Sequence, residues 1–234
     1  MTGDATALAQ WSRFRDLSIV KLKEVYEKLN IHFDVFWGES QVSTDSMDRA
    51  IKVVQEKGLT CEDRGALLVD LTKFKMDRAI VRKGGEYTSV KKRMSLISDG
   101  TTIYLTRDLG GAYDKYQKYK FDKHIYVVQS AQTLHFNQLF KTLELMDEEF
   151  AKPGMLEHIN FGMVNGMSTR RGTVKFLDDI IDEATDVMHE QMRSNEAKYA
   201  QVEEPEMTSA VIGASAVKIQ DMSAKRYVPS SSSY

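Results

Sequence analysis

His124-Ile-Tyr-Val-Val-Gln129 is a short apolar run that predicts a β-strand, and segments with helical periodicity precede and follow it. These helical segments are residues 108–119 and 133–149. One further strand-like run, 101–106, precedes the first helical segment, and another, 158–164, follows the second. The order is therefore β-α-β-α-β, and each connection holds a helix, which implies a parallel sheet. We predict an α/β fold from this stretch.

Outside this stretch the same reasoning predicts four helices, three strands and one loop. The helices are 5–29, 43–57, 176–199 and 209–222, the strands are 33–37, 66–70 and 78–82, and the loop is 83–98. Ser43 or Thr44 is expected to cap the second helix, which ends at Gly58.

The motif Tyr104-Leu-Thr-Arg-Asp108 places an aromatic hydroxyl and a carboxylate at the predicted carboxyl end of a strand. Ligands of open α/β sheets bind at that edge. A carboxylate suits a guanidinium or another cation, and a tyrosine supplies a ring face and a hydroxyl. The alternative is that Asp108 caps the following helix and Tyr104 packs in the core.

Gln132, His135 and Gln138 follow the next strand, at the same edge of the predicted sheet. Gln132 could bind an amide or a carboxylate, and His135 a nucleotide base or ribose. The alternative is an exposed polar face on an amphipathic helix. His124 and His158 each begin an apolar strand, and we expect both to be structural.

The loop Met167-Ser-Thr-Arg-Arg-Gly172 follows the last predicted strand and precedes a helix. Its hydroxyls and two arginines can stabilise charge that grows on a leaving pyrophosphate. The alternative is a solvated basic turn whose arginines pair with Asp178 or Asp179. Taken with the Tyr104–Asp108 motif, the loop suggests one site for a cationic amino acid and a triphosphate.

Composition excludes several classes of protein. A net charge of −2 over 234 residues argues against a dominantly basic nucleic-acid binder. The single Cys61 cannot form an internal disulfide, which fits a reducing compartment. The sequence has no apolar run of the roughly 18 residues that a membrane span needs. It contains no Walker-type loop and no GxGxxG motif, and its five histidines lack metal-ligand spacing.

Two longer runs carry a family resemblance. Residues 99–112 and 161–179, which contain the two motifs, resemble eukaryotic, fungal-type arginyl-tRNA synthetase. The likeness continues upstream at Trp11–Asp16 and Trp37–Val42, and downstream at Ala216–Arg226. It therefore covers nearly the whole chain.

The resemblance implies a partial class I synthetase catalytic domain, with the second half of a Rossmann-like parallel sheet and flanking helices. Such enzymes join arginine to AMP with ATP and Mg²⁺, and then transfer the arginyl group to tRNA(Arg). The resemblance also implies a cytoplasmic location, with a mitochondrial one as the alternative. We expect a monomer that does not associate with membranes.

The resemblance also assigns residues to roles. The arginine side chain is bound by Tyr104, Asp108 and Gln132, and the nucleotide side holds His135 and Gln138. The KMSKS-like loop, which stabilises the activation transition state, corresponds to Met167, Ser168, Thr169, Arg170 and Arg171. The last of these stands where the family usually has lysine, and the two cations differ in geometry.

By the same likeness, residues 1–98 connect elements within the catalytic domain, and residues 99–200 hold its second Rossmann-like half. Residues 201–226 begin a helical region, and residues 227–234 are expected to be a disordered tail. Residues 84–97 interrupt a stretch that is nearly continuous in the family. Translated intron sequence is one explanation for this insert and for the tail.

No HIGH-type sequence, which opens the nucleotide fold in this family, occurs in the chain. Two functions therefore stay open at this point. One is a portion of an arginine–tRNA ligase, and the other is a non-catalytic remnant or interaction protein. Activation draws on transition-state contacts from both halves of the site. We therefore expect the isolated chain to bind arginine weakly and to turn over ATP hardly at all.

Overall fold

The computed structural model describes residues 4–63, 66–82, 104–162, 164–165, 175–223, 225–226 and 230–231. The α-helices in these ranges are α1 (Ala5–Lys28), α2 (Thr44–Glu56), α3 (Tyr104–Tyr119), α4 (Thr133–Leu145), α5 (Leu177–Arg193), α6 (Glu196–Tyr199) and α7 (Pro205–Ser223). The strands are β1 (Thr60–Asp63), β2 (Ala66–Val69), β3 (Ala79–Arg82), β4 (His124–Gln129), β5 (Leu156–Phe161), β6 (Val164–Asn165) and β7 (Ser230–Ser231).

The chain divides into two compact units. The central unit comprises Trp37–Asn160, and the terminal unit comprises Met1–Phe36 together with Phe161–Tyr234. The central unit has the larger core. Its most deeply buried large side chains are those of Val54, Val69, Leu71, Val81, Leu109, Leu139, Leu143 and Phe150.

The first sheet of the central unit is antiparallel, in the order β1-β2-β3. Strand β2 is buried along its whole length, which explains its continuous apolar sequence Ala66-Leu-Leu-Val69. The predicted strands 66–70 and 78–82 are thus confirmed as β2 and β3. Strand β1 was not predicted, because Thr60-Cys-Glu-Asp63 is a partly exposed edge strand with little apolar character.

Strands β4 and β5 form a second, two-stranded sheet, and α4 connects them. The amide of His124 at the start of β4 donates to the carbonyl of Met155, just before β5, at 2.7 Å. The two strands therefore start at the same edge and run in the same direction. This confirms the predicted strand-helix-strand unit over residues 124–161.

The predicted strand 101–106 is wrong over its last three residues, since α3 already begins at Tyr104. Residues 101–103 lie outside the described ranges. Leu105, Leu109 and Ala112 recur at helical spacing, and all three are buried. Burial of this helical face outweighs the local alternation that favoured a strand. Inside the helix, Thr106 donates its hydroxyl hydrogen bond to the carbonyl of Val81 on β3.

A guanidinium connects three elements of the central unit. Arg49 on α2 donates two hydrogen bonds to Glu148, at 2.6 and 3.2 Å. The same group lies 4.0 Å from the ring centroid of Tyr113 on α3. The contact therefore ties α2 to α3 and to the turn that follows α4.

The predicted strand 33–37 is wrong, because the segment is irregular in the structure. The ring of Phe33 lies edge-on to Tyr26 at 4.9 Å and to Phe36 at 5.9 Å. Residues three apart do not share a face in a strand, so this aromatic packing requires a bent backbone.

In the terminal unit α7 lies along α5, and Leu29 at the end of α1 shares a small buried cluster with Ile181 and Ala214. A side chain at Gly213 would approach the backbone of Thr185 to 2.7 Å, so the two helices are in backbone contact there. Asp178 on α5 pairs with Lys21 at 2.6 Å and with Lys28, both on α1.

The predicted helix 176–199 is divided in the structure into α5 and α6. Helix α5 ends at Arg193, and Asn195 starts the second part, since its side chain accepts a hydrogen bond from the amide of Lys198 and caps α6. The predicted helix 209–222 starts earlier, with Pro205 as the first residue of α7.

Two other predictions fall largely outside the described ranges. They are the loop 83–98 and the disordered tail, of which Ser230 and Ser231 are described and pair in parallel with β6. Among the described helices, none combines the length and the apolar character needed to cross a membrane.

Candidate functional site

Tyr104 and Asp108 lie on one face at the start of α3, one turn apart. Tyr104 is 68% exposed, and the side chain of Asp108 is 40% exposed. Leu105, Thr106 and Leu109 bury the opposite side of the helix. The alternative in which Tyr104 packs in the core and Asp108 caps the helix is therefore wrong. Asp108 is the fifth helical residue, and its carboxylate is accessible to a ligand.

Asp108 and His135 are in direct contact. Nε2 of His135 lies 2.6 Å from Oδ2 of Asp108, so the first turn of α4 meets the start of α3. Among the described residues, Oδ1 of Asp108 has no hydrogen-bond partner. The pair thus leaves one carboxylate oxygen available.

Gln132 is exposed and directly precedes α4, three residues before His135. It ends the short 3-10 turn Ser130–Gln132. Gln138 differs from the other candidates, since its amide donates to the backbone carbonyl of Asp77 at 2.9 Å. The structure therefore brings Tyr104, Asp108 and His135 together, places Gln132 three residues before His135, and ties Gln138 to the segment before β3.

Three titratable groups that the sequence did not assign to the site interact with Asp108 or with one another. They are Lys115, His124 and Tyr126. Nζ of Lys115 lies 4.7 Å from the ring centroid of Trp37 and 5.6 Å from that of Tyr126. Burial lowers the pKa of the Lys115 ammonium, and the charge of Asp108 partly opposes this shift. Lys115 is seven residues after Asp108 on α3, and this helical spacing is the signal that could have identified it.

The neighbouring rings of β4 are held neutral. Burial, followed by the charge of Lys115, lowers the pKa of His124 from 6.5 to about 4. Burial also raises the pKa of the Tyr126 hydroxyl, and the charge of Asp108 adds to this shift. Nδ1 of His124 and the hydroxyl of Tyr126 are buried without a hydrogen-bond partner among the described residues. Nε2 of His158 donates to the carbonyl of Val128 at 2.9 Å, in accord with its expected structural role.

The loop residues Met167, Ser168, Thr169, Arg170 and Arg171 lie outside the described ranges, so their role stays a prediction. Asp178, which the sequence offered as a partner for these arginines, already has two lysine partners, Lys21 and Lys28. Within the described ranges, no group of three or more histidine, cysteine or acidic side chains could hold a metal ion.

The arrangement is suited to a planar cationic group. A carboxylate with one free oxygen, an exposed phenol one helical turn away and an exposed amide can together contact a guanidinium. The sequence model of the family described as "tRNA synthetases class I (R), catalytic domain" matches residues 1–230. The chain belongs to this family.

Relatives in this synthetase family match nearly the whole chain. The cytoplasmic arginine–tRNA ligase of Saccharomyces cerevisiae is 54% identical over 226 residues, which cover 96% of this chain and 35% of that protein. The probable cytoplasmic arginine–tRNA ligase of Schizosaccharomyces pombe is 50% identical, with 96% and 34% covered. The chain thus spans about a third of the length of the relatives it matches.

Solved structures support the class I synthetase fold. The arginyl-tRNA synthetase of Plasmodium falciparum superposes with a TM-score of 0.79 at 20% identity, over 99% of this chain and 37% of that one. The Thermus thermophilus arginyl-tRNA synthetase gives a TM-score of 0.66 at 15% identity, over 89% and 39%. The predicted Rossmann-like α/β class is thereby confirmed.

Proposed function

We propose that this chain is a catalytic-domain portion of an arginine–tRNA ligase, which activates arginine with ATP and transfers it to tRNA(Arg). In the first step an arginine carboxylate oxygen attacks the α-phosphorus of ATP and pyrophosphate leaves. In the second step a terminal ribose hydroxyl of the tRNA attacks the arginyl carbonyl and AMP leaves. Family membership and the names of the relatives support this proposal.

One observation carries the proposed substrate. Asp108 presents a half-exposed carboxylate beside the exposed ring of Tyr104, and His135 fixes one of its oxygens at 2.6 Å. A guanidinium can donate to the free oxygen while its flat face lies near the phenol ring. Gln132 would add a neutral contact at the start of α4. The proposed arginine-binding residues are Tyr104, Asp108 and Gln132.

The nucleotide side is proposed from the family resemblance. Gln138 would use its amide oxygen, because its amide nitrogen is already bonded to the carbonyl of Asp77. His135 is proposed to lie next to the nucleotide and to use Nδ1, which has no hydrogen-bond partner among the described residues. Met167–Arg171 would stabilise the charge that develops on pyrophosphate.

Mg²⁺ would be bound mainly through the phosphates of ATP, and the described residues offer no acidic cluster for it. A cytoplasmic location is proposed because two relatives are named cytoplasmic, with mitochondria as the alternative since another relative is a mitochondrial enzyme. A monomeric state is likewise proposed.

The test is arginine-dependent ATP–pyrophosphate exchange in the presence of tRNA. The purified chain is measured first. A chimera is measured next, in which the chain replaces the matching third of the S. cerevisiae relative, with and without residues 84–97. We expect exchange in at least one chimera. Absence of exchange in both would overturn the ligase proposal.

Two single variants of the active chimera test the substrate site. Asp108→Asn removes the negative charge but keeps the shape of the side chain, and we expect the KM for arginine to rise at least tenfold.

The control must be an aspartate without structural contacts. Asp114→Asn is unsuitable because Asp114 accepts hydrogen bonds from Ser43 and Ser46. Asp122→Asn, at an exposed position after α3, is the matched control, and we expect no change. Equal effects of Asp108→Asn and Asp122→Asn would show that Asp108 does not bind arginine.

A further inference from the structure

The contact between His135 and Asp108 joins two side chains that are 27 residues apart in the sequence. Both are partly exposed, His135 at 24% and Asp108 at 40%. An ionised carboxylate only accepts hydrogen bonds, so Nε2 of His135 must carry the hydrogen. The imidazole therefore fixes the orientation of the carboxylate in its neutral form as well as in its protonated form.

We propose that His135 is a positioning residue that holds the carboxylate of Asp108 in place for a cationic substrate. This inference rests on the proposed binding of arginine at Asp108. The hydrogen bond from Nε2 of His135 fixes Oδ2 of Asp108, and the carboxylate keeps its negative charge for the guanidinium.

The groups near the pair leave Asp108 as the anion that His135 orients. On α3, Asp108 is accompanied by Lys115, whose pKa is lowered by burial, while the charge of Asp108 partly opposes this shift. On β4, burial keeps His124 and Tyr126 neutral near pH 7. On β5, the ring of His158 stacks on Phe136, the residue after His135. Asp108 is thus the only one of these groups with a negative charge near pH 7.

This role differs from the nucleotide contact that the family resemblance assigns to His135. A nucleotide contact predicts that the loss of the imidazole changes the KM for ATP. A positioning role predicts that the loss changes the KM for arginine. The two roles can therefore be separated by steady-state measurements.

The pair itself is tested without any substrate. Imidazole resonances of the 234-residue chain are compared by NMR, at a single pH, between the unsubstituted protein and the Asp108→Asn variant. We expect the resonances of His135 to shift in the variant, because the acceptor of its Nε2 hydrogen bond loses its charge. The exposed His32 serves as the control, and its resonances should stay in place. Unchanged His135 resonances would overturn the pairing, whatever the outcome of the exchange assay.

The functional consequence is tested in the chimera described above. His135→Ala should raise the KM for arginine roughly tenfold, as expected for the loss of a hydrogen bond to a charged group. His135→Gln retains an amide donor in place of Nε2, so it should restore most of the affinity. A rise in the KM for ATP alone, or a KM for arginine in His135→Gln as high as in His135→Ala, would overturn the proposal. A lack of exchange in the unsubstituted chimera would instead refute the proposed function, while the NMR comparison would still decide the pairing.

Discussion

The hydroxyl of Thr106 donates a hydrogen bond to the backbone carbonyl of Val81, and both residues are fully buried. The bond connects the first turn of α3 to β3, two residues from Asp108. Thr106→Val keeps the shape of the side chain but removes the hydroxyl that donates to the carbonyl of Val81. We expect a loss of about 1–2 kcal/mol in the free energy of unfolding, measured with urea.

Thr142 provides a matched comparison, since it is equally buried and also bonds to a backbone carbonyl. Its hydroxyl donates to Gln138 within α4, at 2.7 Å, where the helical amide of Thr142 already serves the same carbonyl. Thr142→Val should therefore change stability by less than about 0.5 kcal/mol. Equal losses in the two variants would contradict the assigned role of Thr106.

Gly213 is required by the close approach of α7 to α5. A methyl group at this position would lie 2.7 Å from the backbone nitrogen and 2.8 Å from Cα of Thr185. Alanine is favoured over glycine inside a helix by about 1 kcal/mol, but the overlap with rigid backbone costs more. We expect Gly213→Ala to lower the free energy of unfolding by about 1–2 kcal/mol.

Gly38→Ala is the control for that substitution. A methyl group there has no neighbour within 4 Å, and the backbone φ of −137° suits any residue. Its stability should stay within about 0.5 kcal/mol of the unsubstituted chain. If Gly213→Ala were as stable as Gly38→Ala, the backbone contact between α5 and α7 would not be tight.

His124 should make the stability of the chain depend on pH. The unfolded histidine binds a proton near pH 6.5, whereas the folded one does so only at a pKa of about 4. Protonation therefore favours the unfolded state in this interval, and stability falls as the pH decreases from about 6.5 to about 4. Solvent screening reduces the effect to the order of 1 kcal/mol.

His124→Phe keeps a ring beside Tyr126, whose centroid lies 4.0 Å away, and removes the titration. The variant should show a flatter stability profile between pH 6.5 and pH 4 in urea unfolding. The exposed His32, substituted by Gln, should leave the profile unchanged. If the stability of His124→Phe depended on pH as strongly as that of the unsubstituted chain, another group would be responsible for the pH dependence.

Asp178 stabilises the contact between α1 and α5 through two lysines. The hydrogen bonds from Lys21 and Lys28 lower the pKa of its carboxyl, so the stabilisation is present above the unfolded pKa and is lost as the pH falls through the folded value. Asp178→Asn should lower the melting temperature at pH 7, and the difference should shrink in 1 M salt. Asp186→Asn, at an exposed position on the same helix, should have little effect. If the decrease in melting temperature did not depend on salt, the loss of stability would not be electrostatic.

The sequence predicted those elements whose ends carry strong local signals. Helix α2 begins after Ser43, whose hydroxyl accepts from the amide of Ser46, and is followed by Gly58 at a φ of +64°. The start of α3 was missed because Leu105 fits a strand and a helix equally well, and only its burial decides between them. Edge strand β1 was missed because its residues are mostly polar.

The candidate site was predicted in outline and not in detail. The sequence placed Asp108 and His135 at one edge of a sheet; the two side chains are in contact, but Asp108 lies on α3 and not after a strand, and the roles of both residues stay predictions. The pairing itself was not predicted, since the spacing of 27 residues shows no periodicity that would indicate it. The half-buried Lys115 was missed because a lysine on an amphipathic helix is usually exposed.

Arg49 shows that the central unit already contains a bound guanidinium of its own. Glu148 and the ring of Tyr113 hold it with a carboxylate and a phenol, the same pair of groups that Asp108 and Tyr104 are proposed to offer to a substrate. We expect free guanidinium chloride to compete for both pairs of groups. Unfolding curves in that denaturant would mix loss of this internal contact with ligand-like binding, whereas urea would not.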